Sequence, residues 1–200
     1  MTSVTYRQST VPDAEKEKSD PDNHLFVRRL PRRLEGEVIR DGMLAVSGAL
    51  DAAMYGKGTK DERSRRRSIY FTVKRSQLIG SMVVFDAPEP LVSQGTRPTT
   101  TVAPQALLLM NGPQVREWAG AYARRVSADP ARSTPNEKVS HAYRLAFGRK
   151  PDATEAANAT AFLAAQTQRY AAEGKSDAVG LALVDFCQVL FGLNEFAYAP

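Results

Sequence analysis

The 200-residue sequence has few of the residues that bind soft metals or form disulfides. It contains one cysteine, Cys187, and two histidines. A single cysteine cannot form an intramolecular disulfide, and a structural zinc site needs a tetrahedral set of nitrogen and sulfur ligands. The chain has no Cys-x-x-Cys-His motif for covalent attachment of a c-type haem. We therefore predict no metal site and no cofactor in this chain, and core packing for Cys187 among its apolar neighbours.

Long apolar runs are also missing. No segment approaches the roughly 20 apolar residues that a membrane-spanning helix needs. The N-terminus lacks the apolar core of a signal peptide, so any export is expected to depend on an upstream segment. Residues 1–23 combine charges with two prolines and almost no large apolar side chain. This composition predicts an extended or disordered lead-in.

Positive charge is concentrated in the first half of the chain. Residues 24–75 contain 13 Lys or Arg and 6 Asp or Glu, whereas residues 101–200 contain 10 and 9. Several neighbouring guanidinium groups can bind a phosphate or sulfate, and the alternative is a solvated, charge-balanced surface. No recognition motif accompanies the charge, which argues against nucleic-acid binding. The candidate anion-binding residues are Arg63, Arg65, Arg66 and Arg67.

A first amphipathic helix is predicted to begin at Pro31, where the missing N–H of proline costs nothing. Its spacing predicts a half-buried helix with a stripe that consists of Leu34, Val38, Gly42, Val46 and Leu50 and is widened by Ile39 and Met43.

Four charged residues fall close together on this predicted helix: Arg33, Glu37, Arg40 and Asp41. A carboxylate pair performs acid–base chemistry when one member is neutral and the other charged. Interleaved arginines favour the charged form of both carboxylates and leave no proton donor at neutral pH. We therefore predict an ion-pair network in preference to a catalytic dyad, and we assign no catalytic residue.

The remaining sequence predicts a mainly α fold. The best strand is Ser68–Val73, which is rich in β-branched and aromatic residues, and it predicts a short strand or hairpin near residues 68–74. From Pro104 onward the periodicity and the capping signals are helical. Residues 99–200 are expected to form a helical bundle, and residues 24–98, a basic helix with a short β and loop region, are expected to pack with it as one domain. The predicted helix starts are Pro104, Pro113, Thr134 with Glu137, Asp152 with Glu155, and Asp177.

Several short segments, in order along the chain, carry a family resemblance. Together they resemble the C-terminal domain of unknown function of large planctomycete-type proteins that also carry cytochrome-c domains, a PSD-type domain. The segments include Thr5-Tyr6-Arg7-Gln8-Ser9, Arg32-Arg33-Leu34-Glu35, Arg66-Arg67-Ser68-Ile69-Tyr70, Phe85-Asp86-Ala87-Pro88, Thr100-Thr101-Val102-Ala103-Pro104-Gln105, Gly148-Arg149-Lys150-Pro151 and Asn194-Glu195-Phe196.

The resemblance implies a helical, extracytoplasmic or periplasmic module beside a domain that holds haem c, and it implies no established reaction. It also implies a fragment, because the Tyr6–Ser9 segment follows further helices of the same domain in the family. Gln105 is expected to hydrogen-bond a neighbouring backbone. The residues to which the resemblance assigns a structural role are Thr101, Pro104, Gln105, Asn194, Glu195 and Phe196.

Two functions remain open from the sequence. We expect a non-catalytic scaffold or interaction module of a larger multidomain protein, whose partners are other domains of that polypeptide, a separate protein or an anionic ligand. The alternative is part of an enzyme or electron-transfer assembly that acts on polysaccharide, with Glu37, Arg40 and Asp41 lining a shared site. A cleft that exposes these charges would favour the alternative, and enclosure by arginines would count against it.

Overall fold

A computed structural model of the protein describes residues 3–4, 6–11, 13–91, 93–130 and 133–199. These residues are mainly α-helical, as predicted, with one two-stranded antiparallel sheet. Thr5, which opens the family resemblance, lies outside the described residues. In chain order the elements are α1 (Ala14–Ser19), β1 (Arg32–Arg33), α2 (Gly36–Ser47), a 3₁₀ turn (Ser68–Tyr70), α3 (Gly80–Val84), α4 (Ala103–Asn111), α5 (Pro113–Ser127), α6 (Pro135–Phe147), α7 (Ala153–Ala172), α8 (Ala178–Gly192), α9 (Asn194–Ala197) and β2 (Tyr198–Ala199).

Helix α8 is the centre of the bundle. Its sequence is apolar on nearly every side, and a helix of that composition must be surrounded by other elements. It packs against α4, α5, α6, α7 and α9, so it is surrounded by the other helices of the bundle. Its buried side chains are Ala182, Leu183, Phe186, Cys187, Leu190 and Phe191.

The helix starts in the second half of the chain match the capping signals of the sequence. The Thr134 side chain accepts a hydrogen bond from the amide of Glu137, and the Asp152 side chain accepts one from Glu155. Asp177 likewise caps α8. Helix α5 buries one apolar face, which consists of Val115, Trp118, Ala119, Tyr122, Ala123 and Val126.

Helix α2 begins at Gly36, and the predicted start at Pro31 is wrong. Arg32 and Arg33 are extended because they pair as β1 with β2 at the other end of the chain. Within the predicted apolar stripe, Ile39 and Met43 are buried, and Leu34, Val46 and Leu50 pack partly buried against the core. The residues that α2 buries against the core are Ile39, Met43 and Leu44, while Val38 is half-exposed. Helix α2 packs on α5 and shares one hydrophobic core with the bundle.

The strand predicted at Ser68–Val73 does not form. Ser68–Tyr70 is a 3₁₀ turn, and Phe71 makes a single isolated bridge with Thr59. The backbone amide of Ser68 donates to the side chain of Asp41 on α2 rather than to a neighbouring strand. The segment Leu78–Phe85 contains α3.

The N-terminal segment differs in part from the predicted extended lead-in. It contains the six-residue helix α1, which Asp13 caps and which buries no residue. Among the described residues, no helix combines the length and the apolar character that crossing a membrane would require.

Candidate functional site

A groove of about 860 Å³ lies between α2, residues 67–73 and α3. Its volume is within the range of ligand-binding clefts. Most of its surface is apolar, and the carboxylates of Glu35, Glu37 and Asp41 and the guanidinium of Arg67 also line it. The apolar side chains around it include Val38, Ala45, Ile69, Phe71, Val73, Leu78, Ile79, Met82 and Val83.

The apolar walls of the groove are exposed to solvent. Ile69 and Val73 are 73% and 76% exposed, and Val38, Leu78 and Val83 are exposed as well. Single exposed apolar residues are ordinary on a protein surface, but a contiguous group around a groove is typical of an interaction site.

Arg40 holds one wall of this groove in place. The side chain is buried under residues 62–68, and its Nη1 donates to the carbonyl oxygen of Arg66 at 3.0 Å and to Oγ of Ser68 at 3.1 Å. Its Nη2 donates to the carbonyl oxygens of Glu62 and Ser64. A guanidinium group has five N–H donors in a planar arrangement, so one side chain can bind several carbonyls of a loop at once.

The surroundings of Arg40 are aromatic on two sides. Its guanidinium carbon lies 4.6 Å from the ring centroid of Phe71 and 5.5 Å from that of Trp118. Burial lowers the pKa of Arg40 below its ordinary value, and the charge of neighbouring carboxylates, first among them Asp41, opposes that shift. Phe71 also lines the groove, so the contact connects the buried arginine with the groove wall.

Both carboxylates that were considered for acid–base chemistry line the groove, and both are bound by other groups of the chain. Asp41 accepts hydrogen bonds from N and Oγ of Ser68, each at 2.7 Å, and lies 3.8 Å from Nε of Arg67. Glu37 Oε1 accepts a hydrogen bond from Nη1 of Arg97 at 3.2 Å. Glu37 Oε2 lies 3.0 Å from Nη2 of Arg97.

The four charged residues predicted to lie together are therefore divided. Arg40 and Asp41 are adjacent, with 3.5 Å between Nη1 and Oδ1, whereas Glu37 belongs with Arg97. Arg33 is separate, because it lies in β1 and not on the helix. Glu37 and Asp41 reach the groove, but Arg40 is buried away from it.

Asp86 connects three segments of the family resemblance. Its Oδ2 accepts hydrogen bonds from Nη2 of Arg33 at 2.5 Å and from N of Thr100 at 2.8 Å, and its Oδ1 accepts one from Oγ1 of Thr100 at 2.8 Å. Burial by itself would raise the pKa of Asp86. The hydrogen bonds from Thr100 and the charges of Arg33 and Arg97 outweigh burial and hold that pKa below its usual range.

The Thr101 to Gln105 segment contacts the end of α3 and the C-terminal strand. Gln105 is buried, and its Nε2 donates to the carbonyl oxygen of Val84 at 3.1 Å, as predicted. Pro104 lies in the first turn of α4. The Thr101 hydroxyl is 3.3 Å from the hydroxyl of Tyr198 in β2.

A second pair of family segments meets at Arg149. Its Nε donates to Oε1 of Glu195 at 2.7 Å, and its Nη1 and Nη2 each donate to Glu155 at 2.7 Å. These bonds, first those to Glu155 and then those to Glu195, raise the pKa of Arg149 above its ordinary value. Next to Glu195, Asn194 begins α9 and Phe196 is buried against Phe191.

Arg66 is not available as an anion-binding residue. Its Nη1 donates to the carbonyl oxygen of Lys57 at 3.0 Å, and its Nη2 donates to the carbonyl oxygens of Tyr55 and Ala53. Its guanidinium carbon lies 3.7 Å from the ring centroid of Tyr70. The Arg66 side chain therefore stabilises the preceding loop by binding the carbonyl oxygens of residues 53, 55 and 57.

The other three arginines of the basic run point to the surface and form at most long ion pairs. Arg65 is 3.8 Å from Glu117 and Arg67 is 3.8 Å from Asp41. Arg63 is exposed. The basic run is therefore a surface of three arginines, of which Arg67 alone lines the groove.

Sequence reasoning did not identify the two contacts that shape this region. Arg97, which binds Glu37, lies in a segment with loop composition, and Asp86 lies in a turn signal. The sequence did contain one signal for the apolar wall of the groove. Ile69 and Val73 are large apolar residues that lie between two basic stretches.

Among the described residues, no three His, Cys, Asp or Glu side chains are grouped as metal ligands. Cys187 is fully buried in α8, and burial raises the pKa of its thiol. Core packing is confirmed for this residue.

A protein-family model matches most of the chain. Residues 1–163 match PSD1, described as a protein of unknown function (DUF1553). Asn194, Glu195 and Phe196 lie beyond the matched residues. No curated protein and no solved structure matches the chain. Because the match covers most of the sequence, the chain belongs to the PSD1 (DUF1553) family of proteins of unknown function.

Proposed function

We propose that this chain is a non-catalytic interaction module, and that its groove receives the apolar face of another helical segment. The observation that supports the proposal is the cluster of exposed apolar side chains along the groove, with Ile69 and Val73 about three-quarters exposed. Amphipathic helices bind to such grooves through apolar residues at successive turns.

The polar groups of the groove support a binding role over acid–base chemistry. Glu37 accepts one hydrogen bond from Arg97 and Asp41 accepts two from Ser68, so both carboxylates are held by other groups of the chain. Arg40, the third member of the enzymatic alternative, is buried beneath the groove wall. The alternative, a part of an enzyme or electron-transfer assembly that acts on polysaccharide, has in its favour that Glu37 and Asp41 line the groove.

The context of the module is proposed from the family resemblance. It supports a multidomain protein outside the cytoplasm, in which one neighbouring domain carries haem c and other domains supply the partner helix. The exposed arginines Arg63, Arg65 and Arg67 support the binding of an anionic ligand, or of a partner with an anionic surface, beside the groove. A reading frame that continues upstream of Met1 and encodes Cys-x-x-Cys-His agrees with this context, and a frame without such a motif contradicts the haem neighbour.

A fluorescent label in the groove tests the binding role. Because Cys187 is buried, an Ile69→Cys variant can be labelled selectively with an environment-sensitive fluorophore. The probe is a synthetic amphipathic peptide of about 18 residues, long enough to form a helix on contact. It has leucines on one face and lysines elsewhere, because three carboxylates line the groove. We expect a saturable blue shift of the emission.

The matched control carries the same label at Met110, which is exposed on α4 and does not line the groove. Its emission should not change. An unchanged Ile69→Cys signal at peptide concentrations up to about 1 mM, where weak contacts are populated, contradicts the proposal. Equal shifts at both labels contradict it too, since they would report non-specific contact.

A further inference from the structure

Residues 51–73, the wall loop, end in the segment 67–73 that lines the groove, and they are attached to the protein without packing into its core. The structure describes every residue of the wall loop, and Ser68 alone among them is buried. The hydrophobic core, together with the partly buried side chains that pack on it, includes no residue of the wall loop. Because apolar burial is the main force that holds a segment on a core, the position of the wall loop depends on polar contacts.

Two neighbouring side chains of α2 make the enclosed contacts to the wall loop. Arg40 donates to the carbonyl oxygens of residues 62, 64 and 66 and to Oγ of Ser68. Asp41 accepts hydrogen bonds from N and Oγ of Ser68. Both sets of bonds converge on the one buried residue of the wall loop, so this point is its attachment to the helix.

The wall loop also has hydrogen bonds of its own. Arg66 binds the carbonyl oxygens of residues 53, 55 and 57, and the amide of Tyr55 donates to the hydroxyl of Tyr70 at 2.7 Å. The amide of Thr59 donates to the carbonyl oxygen of Tyr70 at 2.9 Å, and the amide of Thr72 donates to that of Thr59 at 2.8 Å. None of these bonds involves α2, so the wall loop can separate from the helix and keep them.

Separation at this attachment costs less than unfolding the bundle. The bonds of Arg40 replace bonds to water and enclose a charged group, so the return of water on separation compensates for much of their loss. The helices of the bundle share one apolar core, and no such compensation accompanies its exposure. Segments that are held by few contacts open locally, at free energies below that of global unfolding.

We propose that the wall loop detaches from α2 as a unit, and that Arg40 is the positioning residue that keeps it attached and thereby sets the affinity of the groove. This inference rests on the proposed function of the groove. Arg40 does not line the groove, so it acts through residues 67–73 and not on the occupant. Since the attached form alone has a complete groove, the apparent dissociation constant rises as the attached fraction falls.

Hydrogen exchange tests the detachment without any occupant. The amide of Ser68 donates to Asp41, so its exchange reports separation from α2, whereas Val126 in the core of α5 reports unfolding of the bundle. After correction for intrinsic rates, we expect Ser68 to exchange at least about tenfold faster than Val126 in the unmodified chain. Arg40→Gln should accelerate Ser68 by a further factor of about ten or more, because it removes the bonds that favour the attached form.

The matched control is Arg33→Gln. Arg33 is a second buried arginine, and it binds Asp86 and the carbonyl oxygen of Thr100 rather than the wall loop. Its replacement destabilises the attached and the detached form alike, so it should accelerate Val126 and leave Ser68 unchanged.

Peptide affinity tests the consequence for the groove. The lysine–leucine peptide is titrated into the labelled Ile69→Cys chain, with and without each arginine substitution. Arg40→Gln should weaken binding by about tenfold or more, although it removes no atom that lines the groove. Arg33→Gln should not change the affinity. Arg40→Lys should restore part of it, because lysine keeps the charge and can still donate to carbonyl oxygens.

Equal protection of Ser68 and Val126 in the unmodified chain overturns the inference, because the wall loop would then open only with the whole protein. Equal acceleration of both amides by Arg33→Gln overturns it for the same reason. If either glutamine variant does not fold, Arg40→Lys and Arg33→Lys are compared in its place.

The two measurements also separate this inference from the proposed function. Unchanged peptide affinity in Arg40→Gln, together with faster exchange at Ser68, overturns the inference and leaves the proposed function standing. If the peptide binds to none of the chains although Ser68 opens separately, the proposed function fails and the detachment stands.

Discussion

Arg33 and Asp86 form an enclosed ion pair, with 2.5 Å between Nη2 and Oδ2 and side chains that are 5% and 13% exposed. The pair joins β1 to the turn after α3. The amide of Thr100 also donates to Asp86, which connects the loop before α4 to the same site. We expect Asp86→Asn to lower the free energy of unfolding by about 3 kcal/mol, because Arg33 would stay charged in a site without a compensating carboxylate. Urea unfolding followed by circular dichroism measures the change.

The control for this variant is Glu89→Gln, an exposed carboxylate in the same turn. It should change stability by less than about 0.5 kcal/mol, as surface substitutions usually do. Equal small effects of both substitutions would show that the Arg33–Asp86 pair contributes no more than a surface charge.

Stability should fall in acid, and Asp86 should account for part of the fall. Its pKa is lower in the folded chain than the ordinary 3.8, so the unfolded chain binds a proton at a higher pH than the folded chain does. The stabilisation is therefore complete above about pH 5 and is lost as the pH decreases through the lower, folded pKa.

Measurements of the free energy of unfolding between about pH 6 and pH 2 test this sign. Asp86→Asn should show a flatter dependence than the unmodified chain. Some slope should remain, because the hydrogen bonds from Arg149 lower the pKa of Glu155 as well, against the opposing effect of burial. Identical slopes for the two proteins would exclude Asp86 as a source of the acid sensitivity.

The second half of the fold was predictable because its signals are local. Thr134, Asp152 and Asp177 each cap a helix whose partners lie within three residues. The first half depends on distant contacts. Arg32 is extended because Ala199 pairs with it, and Ser68 turns because Asp41 binds its amide.

The candidate site could be predicted only in pieces. The sequence identified Glu37 and Asp41 as neighbours, but not that an apolar groove lies beside them, because Ile69 and Val73 look like one face of a strand. A strand segment with no partner strand exposes that face, and the absence of a partner is a tertiary property that local pattern does not contain.

Gly36 is required where α2 meets the end of α3. A Cβ at this position would lie 2.7 Å from Cβ of Phe85 and 3.3 Å from its Cγ. Because Phe85 is buried, it has little room to move away. We expect Gly36→Ala to lower the free energy of unfolding by about 1–3 kcal/mol through overpacking. Chemical denaturation measures this loss.

Gly120 provides the opposite case within α5. Its added Cβ would come no closer than 3.5 Å to the end of the Arg124 side chain. Gly120→Ala should stabilise the protein by up to about 1 kcal/mol, because alanine has the higher helix propensity. A stabilising Gly36→Ala would mean that Phe85 can repack freely.

We expect Arg149 to stabilise the attachment of the C-terminal segment to the bundle. It binds Glu155 at the start of α7 and Glu195 in α9, and α9 leads directly into β2. Lysine keeps the charge, but all of its N–H donors are on one nitrogen atom. It therefore cannot form both of the paired contacts that the planar guanidinium group makes. Since the Arg149 side chain is 40% exposed, Arg149→Lys should cost less than about 1 kcal/mol of global stability.

The effect of Arg149→Lys should instead be local. The amide of Leu34 donates to the carbonyl oxygen of Ala197 at 2.8 Å, so its hydrogen exchange reports detachment of the C-terminal segment. We expect faster exchange at Leu34 in Arg149→Lys and unchanged exchange at Val126 in the core of α5. Arg144→Lys, an exposed substitution on α6, is the matched control. Equal Leu34 exchange in both variants would mean that the β1–β2 pairing and the burial of Phe196 hold the segment without the arginine.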